Sequence, residues 1–178
     1  MISFLKTKQY KVKSPKFNIG NDAGIDFFIP EYSNEFNEAF LQKNPDKEIS
    51  FEVLKDGTRK YYIDLKPHED VNIPSGIYSK FAPNIALVAL NKSGIATGKK
   101  LIFGAQVIDH SYQGIIHIHL INTSDSVRRL YLDEKAIQFV PIVIDISGVD
   151  VVEGVDPENW YEKVSERGTG AFGSTGLA

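Results

Sequence analysis

The residues best suited to chemistry lie near the carboxyl end of the chain, in the run RGTGAFGSTG at positions 167–176. Its four glycines allow backbone amides to form an anion-binding concavity, and Arg167, Ser174 and Thr175 add a cation and two hydroxyl donors. Such a set suits a chain of phosphates. Phe172 is the single aromatic in this run, and a flat ring there can stack on a nucleobase. A frayed terminus is the alternative interpretation of so glycine-rich a segment.

A second candidate group surrounds Asp109, which is followed closely by Tyr112 and Gly114. A carboxylate is ionised at neutral pH and can orient and deprotonate a water molecule. Asp109 can equally begin a turn, which is a common position for Asp. Tyr112 can likewise just cover the edge of a core. The residues alone leave both interpretations open.

His117 and His119 are two residues apart in a strand-like segment, so they share one face of that strand. Imidazole pairs of this kind can bind a metal ion. Because no third ligand is evident, we expect them to be strand residues on a polar or inter-subunit face instead.

The elements that must position these residues are predicted to be short β-strands. Alternating apolar residues, rich in Val, Ile, Phe and Tyr, indicate strands at residues 49–54, 61–65, 77–81, 85–90, 115–121 and 136–144. Turn signals separate them: DG at 56–57, PSG at 74–76 and SG at 147–148. This spacing is typical of a β-sandwich, barrel or jelly roll, so we predict a mostly β fold.

One segment departs from the alternating pattern. Ser33 is a suitable N-cap, and the apolar residues from Phe36 to Leu41 have a helix-compatible spacing that ends near Pro45. We therefore predict a short helix over residues 33–41. The DG pair at 56–57 then predicts a hairpin with a type I′ turn. Helix and hairpin together, residues 31–60, are interpreted as an insertion on a smaller core.

The composition limits the class of protein. A chain of 178 residues that is 42% hydrophobic and 24% charged fits one globular domain, 1–178. The net charge of −3 argues against a protein that wraps a nucleic-acid backbone, because such binding neutralises many phosphates. There is no cysteine, and we find neither a signal peptide nor the ~20 apolar residues of a membrane span. We expect a cytoplasmic location, or the host cytoplasm if the gene is viral.

Five short motifs, in order, resemble those of the trimeric dUTPase family. The run at 167–176 is similar to the fifth motif of the family, R-G-x-G-x-F-G-S-T-G. The resemblance covers nearly the whole chain, except for about residues 31–60. The other four motifs are AGID at 23–26, KSGIA at 92–96, VID with YQG at 107–114, and EKAIQ at 134–138.

The resemblance implies a jelly-roll subunit in a homotrimer, with active sites at the subunit boundaries. It implies hydrolysis of dUTP to dUMP and pyrophosphate, which lowers dUTP and supplies dUMP for thymidylate synthesis. Asp109 would activate the water that attacks the α-phosphorus, and the ring of Tyr112 would pack on the deoxyribose and exclude a 2′-hydroxyl sterically. The tail, residues 164–178, would close as a lid over the nucleotide of a neighbouring subunit.

Further substrate-binding residues follow from the same resemblance. A hairpin through residues 103–108 that returns near His117 would bind uracil mainly through its main chain. The positions implied are Phe103, Ala105, Val107, Ile108 and His117 for the base, Lys92, Ser93, Gly94 and Gln138 for the phosphates, and Arg167, Phe172, Gly173, Ser174 and Thr175 in the tail.

Four positions depart from the family pattern. Lys92 stands where an Arg is usual, so it either keeps the electrostatic attraction without the planar fork or, if that Arg makes a structural salt bridge, loses the bridge. Lys135 also stands where an Arg is common, and the same two interpretations apply to it. Phe103 replaces a small or amide side chain, and Gln106 replaces a Gly. Side-chain contacts to the base at these two positions are therefore open.

Magnesium is the cofactor that the resemblance implies, held mainly by the substrate triphosphate and waters. No carboxylate cluster in the sequence encodes a protein cage for it. Asp26 has two interpretations: an indirect metal contact through water, or a buried structural carboxylate.

Two rival functions remain open. One is a dCTP deaminase, which has the same fold but needs a general base beside C4 of cytosine, and residues 115–117, IIH, carry no Glu. The other is a regulator that senses dUTP and binds a protein partner through residues 31–60. This second role is compatible with dUTP hydrolysis.

Overall fold

The structure is a computed structural model that describes residues 1–20, 22–155 and 160. Two units can be distinguished, Met1–Ile146 and Ser147–Ala178, and the elements described below belong to the first. The single domain expected over 1–178 stays a prediction. Within the described residues, no helix is long and apolar enough to cross a bilayer.

Short strands dominate the first unit, as the alternating pattern predicts. In the described part of the chain they are β1 (Ser3–Lys6), β2 (Lys16–Phe17), β3 (Ile25–Phe28), β4 (Ser50–Val53), β5 (Arg59–Leu65), β6 (Asp70–Pro74), β7 (Ile77–Lys80), β8 (Ile85–Leu90), β9 (Leu101–Phe103), β10 (Val107–Ile108), β11 (His117–Asn122), β12 (Arg128–Tyr131) and β13 (Lys135–Val143).

All six predicted strands are present, and β8 has the predicted bounds. The prediction for residues 115–121 began too early, because β11 starts only at His117. Strand β3 was missed since all four of its residues are buried, so it has no alternation to detect. Strands β2 and β10 were missed because two residues are too short for a pattern.

The strand pairings of the described residues are antiparallel, which confirms the mostly β fold. The largest sheet has the order β10-β8-β13-β3-β2, and a three-stranded sheet has the order β6-β11-β9. The remaining sheets are β12-β5-β4 and the pair β1-β7. In the largest sheet Val107 pairs with Val88, and Gln138 pairs with Leu90. The connection from β10 to β11, residues 109–116, therefore joins the two sheets that matter most for the site.

Aromatic rings fill much of the core. Phe27 makes edge-to-face contacts with Phe139, at 4.8 Å between ring centroids, and with Phe4, at 5.5 Å. Phe27 and Phe139 are almost wholly buried, and such pairs add to the free energy gained by burial. This packing fixes β3 against β13 and so holds the AGID motif in place.

The predicted helix is confirmed as α1 (Asn34–Lys43), two residues longer than expected at its carboxyl end. Ser33 is the N-cap, as predicted, and its hydroxyl accepts a hydrogen bond from the Phe36 amide at 3.1 Å. Phe36 and Phe40 are fully buried, so this helix packs on the core. The apolar pattern stops before Lys43, and the structure ends the helix at the next residue, Asn44.

Asn44 anchors the helix to β6. Its amide nitrogen donates to the carbonyls of Phe40 and Asn72, at 2.9 and 3.0 Å. Its amide oxygen accepts from the Asn72 backbone at 2.9 Å. Asn44 is buried, so these bonds satisfy groups that water does not reach. The carboxyl end of α1 is thus fixed beside one strand of the three-stranded sheet.

The hairpin of β4 and β5 is present, but the predicted type I′ turn is wrong. Only Gly57 of this loop has a positive φ, +81°, whereas a type I′ turn needs positive φ at both central residues. The Gly57 amide donates to the Leu54 carbonyl at 2.9 Å, and the Leu54 amide donates to the Thr58 carbonyl at 2.8 Å. These bonds define a three-residue loop with a type I turn and a glycine bulge. The loop thus contains one residue, Lys55, more than the two-residue type I′ loop that the sequence predicted.

Candidate active site

A cavity of about 460 Å³ lies between the 105–112 segment and the face of β6 and β11 that carries Asn72, His117 and His119. Six of the predicted substrate and catalytic residues line it: Ala105, Val107, Ile108, Asp109, Tyr112 and His117. The structure therefore brings these six residues together, while their contact with a substrate stays a prediction.

Four other lining residues were not predicted to meet the substrate: Lys43, Asp70, Asn72 and His119. Asn72 and His119 are paired directly across β6 and β11, so their side chains share a face. Lys43 comes from the end of α1, far away in sequence. In the sequence, the polar residues at alternate positions of β6 indicate a polar strand face. Only the strand pairing shows that this face reaches the cavity.

The loop after β10 holds Asp109 and Tyr112 at the cavity. The Tyr112 amide donates to the Asp109 carbonyl at 3.1 Å, which closes a turn. The Tyr112 hydroxyl donates to the Ile115 carbonyl at 2.8 Å, so the ring folds back across Gly114. Any side chain at Gly114 would overlap that ring. Gly114 is thus required by the position of Tyr112, and Asp109 remains exposed to solvent.

His110 fixes the same loop to the rest of the fold. Its Nδ1 atom lies 2.5 Å from the Phe81 carbonyl oxygen. Because a carbonyl only accepts, Nδ1 must carry the proton and donate it. The His110 and Phe81 rings are also in edge contact, 6.2 Å apart. Asp109 is therefore followed in the chain by two anchored residues, His110 and Tyr112.

His117 is a half-buried imidazole in the cavity wall. Burial lowers its pKa below the ordinary value of 6.5, and the positive charge of Lys43 lowers it further. His117 is therefore neutral at pH 7 and can both donate and accept a hydrogen bond. This suits contact with the uncharged edge of a base.

The hairpin expected to bind the base is held by His119. The Gly104 amide donates to the His119 carbonyl at 3.1 Å, and the Ala105 amide donates to the His119 ring at 3.0 Å. The Gln106 carbonyl accepts from the Ala89 amide at 2.7 Å. The Ala105 amide is thus already bonded, and this residue offers a ligand its carbonyl rather than its N–H.

Phe103 lies at the start of this hairpin but does not line the cavity. Its side chain is half-buried and packs against the hydrophobic core, and its amide donates to the Asn91 side chain at 3.2 Å. Its expected contact with the base has no support from the side-chain position.

Asp26 forms a buried double ion pair. Its Oδ1 atom lies 2.5 Å from Lys92 Nζ, and its Oδ2 atom lies 2.8 Å from Lys135 Nζ. Burial alone would raise the pKa of Asp26, but the two ammonium groups outweigh it, so the pKa lies below the ordinary value of 3.8. This geometry accounts for Asp26 as a structural carboxylate, and it accounts for Lys92 as a structural salt-bridge residue.

The remaining predicted phosphate residues lie outside the cavity. Ser93 and Gly94 are exposed at the start of a π-helical turn, Gly94–Gly98. A Cβ atom added at Gly94 would have no other atom within 4 Å. Gln138 Nε2 donates to the Asn91 carbonyl at 3.0 Å, and its side chain packs directly over Gly24. One subunit thus carries two separate groups of predicted substrate residues.

The predicted tail residues Arg167, Phe172, Gly173, Ser174 and Thr175 lie outside the described residues. Within the described part of the chain, no group of three or more His, Asp or Glu side chains could hold a metal ion. His117 and His119 are consistent with the polar strand face that the sequence suggested.

Comparisons with known proteins agree with this fold. The dUTPase family model matches residues 58–176, more than half of the chain. A relative from Yarrowia lipolytica named deoxyuridine 5'-triphosphate nucleotidohydrolase is 34% identical over 107 residues, covering 60% of each protein. One of the same name from Azoarcus sp. is 32% identical over 115 residues, covering 63% of this chain and 72% of the relative.

Solved structures show the same fold. The dUTPase of Staphylococcus bacteriophage 80alpha with dUpNHpp has a TM-score of 0.68 at 20% identity and covers 99% of both chains. The native EIAV dUTPase has a TM-score of 0.57 at 18% identity, covering 86% of this chain and 97% of its own. The fold and the cavity thus place the chain among mostly β proteins whose relatives are named nucleotidohydrolases. The chain belongs to the dUTPase family.

Proposed function

We propose that the protein hydrolyses dUTP to dUMP and pyrophosphate, which lowers dUTP and supplies dUMP for thymidylate synthesis. The observation that carries this proposal is the presence of Asp109 and Tyr112 together at one cavity, in a chain that belongs to the dUTPase family. Relatives named for dUTP hydrolysis in a yeast and a bacterium support the same substrate. The cytoplasmic location stays a prediction.

In the proposed mechanism Asp109 orients a water molecule at the α-phosphorus and accepts one of its protons. The water oxygen forms a bond to phosphorus while the bond from the α-phosphorus to the bridging oxygen breaks. The electron pair of that bond leaves with pyrophosphate. The exposure of Asp109 supports this role, because its carboxylate is accessible to a water and a phosphate.

The sugar and the base would be selected by different means. The ring of Tyr112, held across Gly114, would pack on the deoxyribose and leave no space for a 2′-hydroxyl. The Ala105 carbonyl and the neutral His117 would face the edge of uracil, where donors and acceptors distinguish it from cytosine. A close fit would exclude the 5-methyl group of thymine.

Magnesium fits only as a companion of the substrate. The described residues form no cage of three or more His, Asp or Glu ligands, and both oxygens of Asp26 are paired with lysines. Phosphate oxygens and waters would therefore hold the ion, which offsets negative charge on the leaving pyrophosphate when bound. One fold neighbour, a mutant dUTPase from phage phi11 of S. aureus, is described as coordinating a structural Mg(II) ion.

A homotrimer with shared sites is supported by two observations. Ser93, Gly94 and Gln138 do not line the cavity that holds Asp109, so one subunit does not gather all of the predicted contacts. In addition, an apolar surface groove of about 600 Å³ includes Phe17 and Ile142, and exposed apolar surface of this kind is typical of an interface. Neighbouring subunits would complete each site, with the tail as a lid.

Pyrophosphate release tests the proposed function. Release from dUTP is compared with release from dTTP, dCTP and UTP, for the wild type and for Asp109→Asn. We expect rapid release from dUTP alone, and a loss of at least about 100-fold in kcat for Asp109→Asn, as when a general base is removed. Equal hydrolysis of all four nucleotides, or a fully active variant, would contradict the mechanism. Ammonia release from dCTP would instead identify a deaminase.

A second role as a regulator is favoured by the surface of the 31–60 insertion. Tyr32 and Tyr61 stack at 3.9 Å, and Phe51 beside them is 45% exposed with Arg59 over its ring. Exposed aromatic and arginine side chains are enriched at protein interfaces. A solved 80alpha phage dUTPase is described as controlling transfer of virulence genes. Retained dUTP hydrolysis but lost partner binding in Phe51→Ser would support this role here.

A further inference from the structure

The cavity wall contains a hydrogen-bonded His–Asp pair that the proposed mechanism does not use. His119 Nε2 lies 2.8 Å from Asp70 Oδ2, although the two residues are 49 positions apart. Strands β6 and β11 bring them together. On its other side, His119 Nδ1 lies 3.0 Å from the Ala105 amide nitrogen. All three residues line the cavity.

These contacts define the tautomer of His119. A backbone amide only donates, so Nδ1 must be the accepting nitrogen of the ring. The proton of the neutral imidazole is then on Nε2, where it is donated to the Asp70 carboxylate. Asp70 therefore selects the tautomer that can hold Ala105, in the way that a carboxylate orients a metal-bound or catalytic histidine.

His119 also holds the neighbouring residue. The Gly104 amide donates to the His119 carbonyl at 3.1 Å, so two consecutive amides of the hairpin bond to one residue. A Cβ atom at position 104 would overlap the His119 ring. The loop at residues 104–106 can approach β11 this closely only because Gly104 has no side chain.

We propose that His119, oriented by Asp70, is a positioning residue that fixes the 104–106 loop as one wall of the base pocket and so contributes to the selection of uracil over thymine. The inference rests on the proposed function, since it requires a base in this cavity. This wall can exclude the 5-methyl group of thymine only while it lies close to the base. A loop that has lost its bond to β11 can move away from the base. Ala105 itself is exposed, so its amide can bond to water when His119 is replaced.

Two substitutions separate positioning from folding. In His119→Asn the amide oxygen occupies nearly the position of Nδ1 and can still accept from Ala105. In His119→Leu that acceptor is lost, while a side chain of similar size remains. For His119→Leu we expect the KM for dUTP to rise about five- to tenfold, as for the loss of one hydrogen bond, and the preference for dUTP over dTTP to fall by a similar factor. For kcat and Tm we expect little change, and His119→Asn should restore most of the preference.

The bond itself is tested without any enzyme activity. Long-range ¹⁵N–¹H NMR of the wild-type protein at neutral pH reports which imidazole nitrogen of His119 carries a proton. We expect the Nε2–H tautomer, and we expect Asp70→Ala to reduce its population. An imidazolium or an Nδ1–H tautomer in the wild type would overturn the inference, whether or not the protein hydrolyses dUTP.

The remaining outcomes are also decisive. If the wild type releases no pyrophosphate from dUTP, the proposed function fails, and the role in selecting uracil fails with it even where NMR shows the bond. If dUTP is hydrolysed but His119→Leu lowers Tm with an unchanged KM and an unchanged preference over dTTP, then His119 is merely structural and the inference fails alone.

Discussion

Lys92 Nζ lies 2.5 Å from Asp26 Oδ1, so the lysine of the KSGIA motif is bound to a buried carboxylate of the AGID motif. The motifs are 66 positions apart in sequence and meet because β3 and β8 both flank β13. Lys135, from the EKAIQ motif, pairs with the other oxygen of the same carboxylate at 2.8 Å. Three of the five motifs are therefore joined through one aspartate.

The first prediction concerns stability. In Lys92→Met, Asp26 stays buried with only Lys135 as a partner, and breaking a buried ion pair costs about 3–5 kcal/mol when no other partner remains. Because Lys135 is retained, we expect the free energy of unfolding to fall by about 3 kcal/mol or somewhat less. Urea denaturation measures this, with Lys92→Arg as the charge-retaining control. A loss in the control as large as that in Lys92→Met would show that packing rather than charge matters.

The second prediction concerns acid stability. Because the pKa of Asp26 is below 3.8 in the folded state, the ion pairs stabilise the fold fully above pH 3.8. This contribution is lost as the pH falls from about 3.8 through the lower folded pKa. The stability difference between the wild type and Asp26→Asn should therefore be constant near pH 6 and should shrink below pH 3.8. A difference that stays constant down to about pH 2 would contradict the lowered pKa.

The third prediction concerns His117. Since its folded pKa is below 6.5, the unfolded chain takes up a proton first as the pH falls, and the fold loses stability below pH 6.5. NMR titration of His117 should give a pKa below 6.5. In Lys43→Met that pKa should rise but stay below 6.5, because burial is the larger cause and is retained. An identical pKa in wild type and Lys43→Met would show that the end of α1 does not act on the cavity.

Local signals predicted the elements whose patterns are complete within a few residues. Strand β8 is apolar over its whole length, and Ser33 followed by Phe36 and Phe40 marks a capped helix with a buried face. The turn at Gly57 was mistaken because a single glycine fits either loop length, and only the hydrogen bonds from Leu54 distinguish them.

Of the candidate site, the sequence could predict only the residues that lie near one another in a single motif. Asp109 and Tyr112 lie in one short segment, so their meeting at the cavity needs no long-range information. Asp70 and Lys43 reach the same cavity through strand pairing and helix packing over long separations. The loss of a structural salt bridge, one of the two interpretations of Lys92, is wrong, because Lys92 is paired with the buried Asp26.

The fourth prediction concerns Gly114. A methyl group there would overlap the Tyr112 ring, whereas a methyl group at Gly98 would have no other atom within 4 Å. We expect Gly114→Ala to displace Tyr112 and to lower kcat/KM for dUTP about tenfold or more, since small misplacements at a reacting centre are costly. Gly98→Ala is the matched control and should leave kcat/KM unchanged. Equal activity in both variants would show that the Tyr112 ring is not needed where the structure has it.

The last prediction tests whether neighbouring subunits complete each site. Asp109 lines the cavity and Ser93 does not, so in a trimer with shared sites they serve one substrate from different chains. Asp109→Asn and Ser93→Ala should each be impaired alone. When the two variant proteins are refolded together, their chains should assort at random into trimers. About one quarter of the sites should then contain both wild-type residues, and activity should recover to about that fraction.

A matched mixture distinguishes this recovery from simple refolding. Asp109→Asn mixed with the double variant Asp109→Asn, Ser93→Ala contains no wild-type Asp109 and should stay inactive. Size-exclusion chromatography with light scattering checks that the mixed species is a trimer. No recovery in the first mixture, with mixed trimers present, would mean that Ser93 and Asp109 of one chain serve the same site, and the boundary position of the active site would be wrong. We expect recovery of activity in the first mixture and none in the control mixture, because Ser93 does not line the Asp109 cavity of its own subunit.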